Sequence, residues 1–330
     1  GNPSSEVWFD NIVVTSIDEG VDLPVPLLKQ TFPLWGIYIY DSANEWAPPE
    51  PDDIARWGCA LTSAAMVFQY HGITKLPNGI DLNPGTLNVF LKNDINLDST
   101  KDGYVYEGYV NWAELSNISK LAKPQNPGFA YDSLEFFAHD GHNSDLLQSD
   151  IENGNPAILQ EPGHFVVAKG IDESGKFRIN DPFYDKSSLS EYADTSLTMK
   201  RFIPANSDLS YIVVSTQDNV NVVLKNSSEA EVGTHTTEYP IMNPETGTEN
   251  GNPAKFIYFS KPTGGDYSIA VTANSLANYE IQILAYDSEG QHEKFVFSGI
   301  VGPDNSDSYS IQFDKEDSNN SSSSENITFD

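Results

Sequence analysis

The sequence predicts an α+β domain followed by an all-β domain, and the distribution of helical and strand-like segments indicates this division. In residues 21–217, segments with the periodicity of amphipathic helices come first and short strand-like segments follow, an order typical of α+β domains. In residues 218–315 the helical periodicity disappears, and short alternating segments separated by turn residues are typical of a β-sandwich. A chain of 330 residues is long enough for two such domains.

Four segments of the first domain have the pattern of helices. In the clearest of them Leu61, Ala64, Ala65 and Phe68 are spaced as one face of an amphipathic helix, and Gly72 is placed to end it. The predicted helices are CALTSAAMVFQYHG, NPGTLNVFLKN, NWAELSNISKLA and SDLLQSDIENG.

The strand-like segments are short, rich in β-branched and aromatic residues, and bounded by Gly, Pro or Asp. Those of the first domain, which we expect to form an antiparallel sheet, are NPAILQE, GHFVVAKGID and GKFRINDP. Those of the second domain are NVNVVLKN, AKFIYFSKP, GDYSIAVTA, NYEIQILAYD, HEKFVFSGIV and DSYSIQFD.

The two ends of the chain differ from both domains. Residues 1–20 contain EVWFDNIVVTSI, which predicts an edge strand or a linker to a domain outside this chain; it is also similar to the closing strand of carbohydrate-binding jelly rolls. Residues 316–330 are polar and of low complexity, which predicts a disordered tail.

Composition excludes several classes of function. The formal net charge of -30 repels phosphate backbones and anionic lipids, so we expect neither nucleic acid nor a membrane surface as partner. A single cysteine excludes an intramolecular disulfide framework and four-cysteine zinc sites. No apolar run is long enough to span a bilayer, and Gly1 to Ser5 do not have the pattern of a signal peptide. The chain is therefore expected to be cytosolic or to begin after processing.

The single cysteine, Cys59, begins the clearest predicted helix. Aligned backbone dipoles at a helix N-terminus favour a thiolate, and the N–H groups of the first turn are free to donate to an oxyanion. Cys59 is therefore a candidate nucleophile. The alternative is a small buried apolar residue, which is what a lone cysteine usually is.

A cysteine nucleophile needs a base, and His164 is the best placed of the six histidines because it opens a predicted strand directly after Pro162 and Gly163. His71 would lie about 18 Å from Cys59 along the same helix, at about 1.5 Å per residue. The others are His139 and His142, which form an H-x-x-H that predicts a polar loop rather than a metal site, and His235 and His292, which fall in the β-rich region.

Asp181 and Gln30 complete the candidate catalytic set. Asp181 ends the strand after that of His164, so an antiparallel pairing brings the two to one sheet edge, where a carboxylate can orient the imidazole. Asn180 could serve instead, but neighbouring strand residues point to opposite faces, and we select Asp181. Gln30 is the candidate second oxyanion donor; the alternative is an ordinary surface glutamine.

No cofactor or metal is predicted. The segment DINLDSTKDG places Asp94, Asn96, Asp98 and Asp102 at alternating positions that could bind calcium. It lacks the glutamate at the twelfth position of an EF-hand loop, so we expect a solvated acidic loop.

These segments together resemble the C39-like cysteine peptidases of the papain-type superfamily. The resemblance extends over residues 21–217 and is carried by LPVPLLKQTFPLW, RWGCALTSAAMVFQYHG, LNPGTLNVFLKN, VNWAEL, IENGNPAIL and GHFVVAKGIDESGKFRINDPFY. It implies a papain-like fold in which Cys59 is the nucleophile, His164 the base, Asp181 the orienting residue and Gln30 an oxyanion donor. Ala60 stands where the family often has glycine.

The resemblance implies a secreted or surface-associated bacterial enzyme that hydrolyses peptide or isopeptide bonds through a thioester. The expected partner is a peptide or protein substrate, and the β-rich domain resembles modules that bind cell-surface proteins or polysaccharides. Two alternatives stay open. The same triad could transfer the acyl group to an amine, or the fold could serve as a non-catalytic binding protein.

Overall fold

The computed structural model describes residues 20–93, 103–106, 108–206, 208–243 and 251–326. The α-helices are α1 (Ala43–Trp46), α2 (Ile54–Trp57), α3 (Cys59–Tyr70), α4 (Pro84–Leu91), α5 (Trp112–Leu121) and α6 (Ser144–Glu152). The strands are β1 (Tyr104–Val105), β2 (Tyr109–Val110), β3 (Ser133–Asp140), β4 (Ala157–Glu161), β5 (His164–Ile171), β6 (Phe177–Asn180), β7 (Thr198–Ala205), β8 (Tyr211–Gln217), β9 (Asn221–Asn226), β10 (Thr234–Glu238), β11 (Ala254–Ser260), β12 (Gly265–Thr272), β13 (Ala277–Tyr286), β14 (His292–Val301), β15 (Asp307–Phe313) and β16 (Ser322–Asn326). Short 3-10 helices cover Lys123–Gln125, Leu189–Tyr192 and Ser318–Asn320.

The first region is built on one antiparallel sheet with the strand order β3-β7-β4-β5-β6. Successive strand residues point to opposite faces, and both faces are covered. Ile158 and Val167 share a hydrophobic cluster with α3, whereas Leu159 and Val166 share another with α6. The sheet therefore lies between helices, with α3 on one side and α6 on the other.

The order of elements differs in one respect from the expected succession of helices and then strands. Strand β3 precedes α6 in the chain and forms the edge of the sheet by pairing with β7. Neither strand was predicted from the sequence. The first half of β3 is buried at every position, so its sequence SLEFFAHD lacks the alternation by which a half-exposed strand is recognised.

The second region consists of two antiparallel sheets, with the strand orders β10-β11-β8-β13-β14 and β16-β15-β12-β9. Side chains from both sheets form one hydrophobic cluster, which includes Val214, Ile269, Ile283 and Ile311. The prediction of a β-rich region after the α+β region is confirmed.

Two predicted boundaries are corrected. Strand β8 pairs with β11 and β13, so it belongs to the second region although the predicted boundary at 217 assigned it to the first. Residues 316–330 are not simply a disordered tail, because Ser322–Asn326 pairs along β15. The sequence of β16 is SSSEN, and main-chain pairing with a formed sheet edge compensates for its weak strand propensity. Residues 1–19, including the predicted N-terminal strand, lie outside the described residues.

The two regions share a hydrophobic core. Phe136 of β3 packs against Phe202 of β7 and, with its ring centroid 5.0 Å away, against Tyr258 of β11. Phe256 and Val213 of the second region belong to the same buried cluster as α3. The second region is therefore packed onto the first rather than joined to it only by a linker. Among the described helices, none is long and apolar enough to cross a membrane.

A buried tyrosine, Tyr211, forms hydrogen bonds across this junction. Its contribution to the stability of the fold can be measured. The Tyr211 hydroxyl donates to the carbonyl of Phe136 at 2.7 Å and accepts from its N–H at 3.1 Å. Tyr211→Phe leaves both backbone groups buried without this partner, so we expect the free energy of unfolding to fall by about 2 kcal/mol. Urea unfolding measures this change.

The matched control is Tyr131→Phe, because Tyr131 is 43% exposed. Its free energy of unfolding should change by less than about 0.5 kcal/mol. Equal stability of Tyr211→Phe and the wild type would show that the hydroxyl does not hold the two regions together.

Candidate active site

Cys59 is the first residue of α3 and is buried, with 1% of its surface exposed. It follows Gly58, which ends α2, and a Cβ on Gly58 would lie 2.5 Å from the Ile54 side chain. Only glycine therefore allows α3 to begin so close to α2. The helical start predicted from the sequence is observed, and the thiol lies where the N–H groups of the first turn lack acceptors within the helix.

His164 begins β5 at the end of a tight hairpin. Strand β4 ends at Glu161, which pairs directly with His164, and Pro162 and Gly163 form the turn between them. The φ of Gly163 is +68°, in the left-handed region that favours glycine. The hairpin thus holds the imidazole at the end of a strand that packs against α3.

Asp181 lies beside His164, as the antiparallel arrangement predicts. Its Oδ1 is 2.8 Å from His164 Nε2 and also accepts the backbone N–H groups of Phe183 and Tyr184 at 2.8 and 2.9 Å. Its Oδ2 accepts the Tyr192 hydroxyl at 2.5 Å. Burial by itself would raise the pKa of Asp181, but the hydrogen bond and charge of His164, with the other donors, hold it below its ordinary value. Asp181 is therefore a carboxylate at neutral pH.

The imidazole of His164 interacts with both Asp181 and Cys59. Nε2 faces Asp181, which leaves Nδ1 as the ring nitrogen that can face the Cys59 thiol. Burial lowers the pKa of His164, but the hydrogen bonds with Asp181 and Cys59 and the charges of both outweigh it and raise the pKa to about 9. The raised pKa keeps the His164 imidazole protonated and positively charged at neutral pH.

Gln30 is close to the same residues and is 2% exposed, so it is not the surface glutamine of the alternative interpretation. Its backbone N–H donates to the carbonyl of Pro182 at 2.9 Å, and its side-chain Nε2 donates to the carbonyl of Ala55 at 2.8 Å. Gln30 and His164 line one cavity of about 210 Å³. An amide nitrogen carries two N–H groups, so bonding to Ala55 leaves a second for an oxyanion.

Asn180, the alternative to Asp181, points away from the imidazole. Its Nδ2 donates to the carbonyl of Val25 at 2.9 Å and so attaches the N-terminal segment to the sheet. The alternation of strand side chains therefore separates the two residues as expected.

Glu161 is a buried carboxyl that the sequence analysis missed. It is 0% exposed, it stands opposite His164 in the hairpin, and within the described residues neither of its carboxyl oxygens has a hydrogen-bond partner. Burial raises the pKa of Glu161 to about 8, although the charges of His164 and Lys186 lower it. The register of the hairpin, E-P-G-H, was the signal that could have identified it, because directly paired residues lie on one face.

Arg56, Ile241 and Met242 also lie at the candidate site, and none of them was predicted from the sequence. Arg56 is 6% exposed, and its guanidinium donates to the carbonyls of Ile241 and Met242 at 3.3 and 3.2 Å. Ile241 and Met242 line the cavity that contains His164. No local pattern joins Arg56 to residues 185 and 186 positions later, so sequence reasoning had no signal for this contact.

The other histidines are separate from this constellation. His71 caps the far end of α3, and burial lowers its pKa to about 4. The ring nitrogens of His142 contact Ser196 and Ser144 hydroxyls at 3.1 and 2.9 Å. In the part of the chain that the structure describes, no cluster of His, Cys, Asp and Glu is arranged to hold a metal ion. The segment considered for calcium, residues 94–102, lies outside that part.

Comparison with known proteins identifies a family to which most of the first region is similar. Residues 25–207 match the model of the Peptidase_C39 like family, a segment that contains Cys59, His164, Asp181 and Gln30. No curated protein and no solved structure matches the chain. Because the matched segment is more than half of the chain, this protein belongs to the Peptidase_C39 like family, which suggests a cysteine peptidase-like scaffold.

Proposed function

We propose that the protein is a cysteine peptidase that hydrolyses peptide or isopeptide bonds with the triad Cys59, His164 and Asp181. One observation carries the proposal: the His164 imidazole bonds Asp181 at 2.8 Å and interacts with Cys59, which lies at the head of α3. Nucleophile, base and orienting group stand in the order that thiol catalysis requires. A papain-like arrangement of the first region is part of this proposal.

In the proposed reaction the Cys59 thiolate attacks the substrate carbonyl carbon and forms a tetrahedral oxyanion. The backbone N–H of Cys59 and the side-chain amide of Gln30 stabilise its charge. As the intermediate collapses, the C–N bond breaks and the His164 imidazolium gives its proton to the leaving amine. His164 then takes a proton from water, which attacks the thioester. The second tetrahedral intermediate collapses as its C–S bond breaks, and release of the acid product restores the Cys59 thiolate and the His164 imidazolium.

Asp181 orients the His164 imidazole and stabilises its charged form throughout this cycle. It accepts from Nε2, so the imidazole presents Nδ1 to the thiol in every step. Its carboxylate charge favours the imidazolium, which is the proton donor to the amine. Tyr192 and the backbone of Phe183 and Tyr184 hold the carboxylate in place.

We also propose that the enzyme acts outside the bacterial cell, as the resemblance implies. The strong negative charge favours a substrate that is not itself highly acidic. On the same resemblance we propose that the second region binds a surface protein or polysaccharide.

The first test is the pH dependence of Cys59 alkylation by iodoacetamide, because the chain contains one thiol. In the wild type we expect fast alkylation well below the free-thiol pKa of about 8.5, since an imidazolium stabilises the thiolate. In His164→Ala this reactivity at low pH should disappear. The control His139→Ala should have the wild-type profile. An ordinary thiol profile in both wild type and His164→Ala would refute the ion pair.

The second test is turnover of a fluorogenic peptide library. Cys59→Ala should abolish cleavage, and Asp181→Asn should lower kcat by about a hundredfold, because the imidazole loses its charged partner. The Asp181→Asn substitution keeps the size of the side chain, so circular dichroism should show an unchanged fold. Full turnover by Cys59→Ala on a confirmed substrate would exclude this mechanism.

The third test uses the buried Glu161. Its pKa is raised from 4.5 to about 8, so between these values the folded state keeps a proton that the unfolded state has lost. Wild-type stability should therefore fall as pH rises through this window, by a few kcal/mol. Glu161→Gln cannot titrate and should remove this part of the pH dependence. Urea unfolding at about pH 5 and about pH 8 measures the difference.

The matched control for Glu161→Gln is Glu173→Gln, which removes the same charge from an exposed turn. Its stability should follow the wild-type pH dependence. If Glu161→Gln also followed it, the carboxyl would be ionised in the folded protein at neutral pH, contrary to the expected raised pKa.

A further inference from the structure

Five residues of the second region cross over the candidate active site, and we call residues 239–243, with the sequence YPIMN, the crossing segment. The N–H of Met242 donates to the carbonyl of Gly163, the residue before His164, at 2.9 Å. The Gln160 side chain donates to the carbonyl of Tyr239 at 3.1 Å. Tyr239 and Met242 of the crossing segment are thus attached to the hairpin that carries the imidazole.

Arg56 attaches the crossing segment to the helix that precedes Cys59. Its guanidinium donates to the carbonyls of Ile241 and Met242, bonds Glu50 at 3.2 Å and lies 3.7 Å above the Trp57 ring. Glu50 in turn accepts the side-chain amide of Asn243. Because Arg56 is buried, displacing the segment would remove two hydrogen-bond acceptors from a desolvated charge and leave it paired with Glu50 alone. The crossing segment is therefore a fixed part of the cleft rather than a displaceable lid.

The crossing segment also packs closely against the hairpin that carries His164. A Cβ on Gly163 would lie 2.2 Å from the Cβ of Met242, so no larger residue fits there without moving the segment. Ile241 and Met242 line the cavity of about 210 Å³ that contains His164 and Gln30. Ile241 also lines a neighbouring cavity of about 650 Å³ that contains Trp57. The crossing segment therefore stands between the two cavities.

We propose that Ile241 and Met242 are specificity-determining residues: they form the wall of the cleft beside His164 and limit the size of the group that reaches Cys59. The inference rests on the proposed function, since it takes Cys59 as the atom that a substrate must approach. It makes the site composite, because the first region supplies the candidate catalytic groups and the second supplies the wall. Main-chain bonds hold the wall in place, so its side chains can vary without loss of the catalytic geometry.

The test compares alkylation of Cys59 by two reagents of different size, iodoacetamide and a fluorophore-linked maleimide, in the full chain at one pH. Met242→Ala shortens the wall but keeps the N–H that bonds Gly163. We expect the ratio of the maleimide rate to the iodoacetamide rate to rise about tenfold over wild type, a steric barrier of about 1.4 kcal/mol. Met242→Leu, which keeps the volume, should restore the wild-type ratio.

The control is Leu276→Ala, a comparable truncation at a position of the second region that is 79% exposed, and its ratio should be that of the wild type. An unchanged ratio in folded Met242→Ala would overturn the proposal. An equal rise for both reagents would also overturn it, because it would show that the segment opens as a lid. The ratio cancels the intrinsic reactivity of the thiol, so this result is separate from the pH profile that tests the triad.

Discussion

The buried hydrogen bond between His164 and Asp181 is the interaction on which the rest of the site depends. A carboxylate removed from water is costly unless hydrogen bonds replace its hydration. Here the loop after β6 supplies two backbone N–H groups, and Tyr192 supplies a hydroxyl. The chain after the strand therefore folds around the charge. In return the carboxylate orients the imidazole and raises its pKa, and in the proposed mechanism the imidazolium supplies the proton that the leaving amine needs.

Two glycines permit the close approach of Cys59 and His164, the proposed nucleophile and base. Gly58 lets α3 begin directly against α2, and Gly163 turns the hairpin through a left-handed conformation before His164. The site is thus assembled where a helix N-terminus meets the end of a strand. Each group is set by rigid secondary structure, an arrangement that preserves catalytic geometry. Glu161, in the hairpin that carries His164, is a second buried carboxyl near the site. Its protonation is therefore coupled to the stability of the fold.

Packing and hydrogen bonds couple the stability of the second region to that of the first. Its strands contribute to the core that surrounds α3, and its crossing segment bonds both the hairpin and Arg56. Local sequence patterns indicated that this region is rich in β-strands but not that it contacts the candidate active site. Hydrogen bonds such as that from Met242 to Gly163 join residues far apart in the chain, and such bonds leave no periodic signal.

The sequence by itself determined the local elements: helix α3 with Cys59 at its start, the hairpin before His164, and the strand that ends beside Asp181. Periodicity, turn residues and the alternation of strand faces encode these, because they depend on neighbours in the chain. Only the tertiary structure decided the sheet order that includes β3 and β7, the burial of Glu161, and the position of Met242 beside the cleft. The reason is physical: burial and desolvation are properties of surroundings that long-range packing creates.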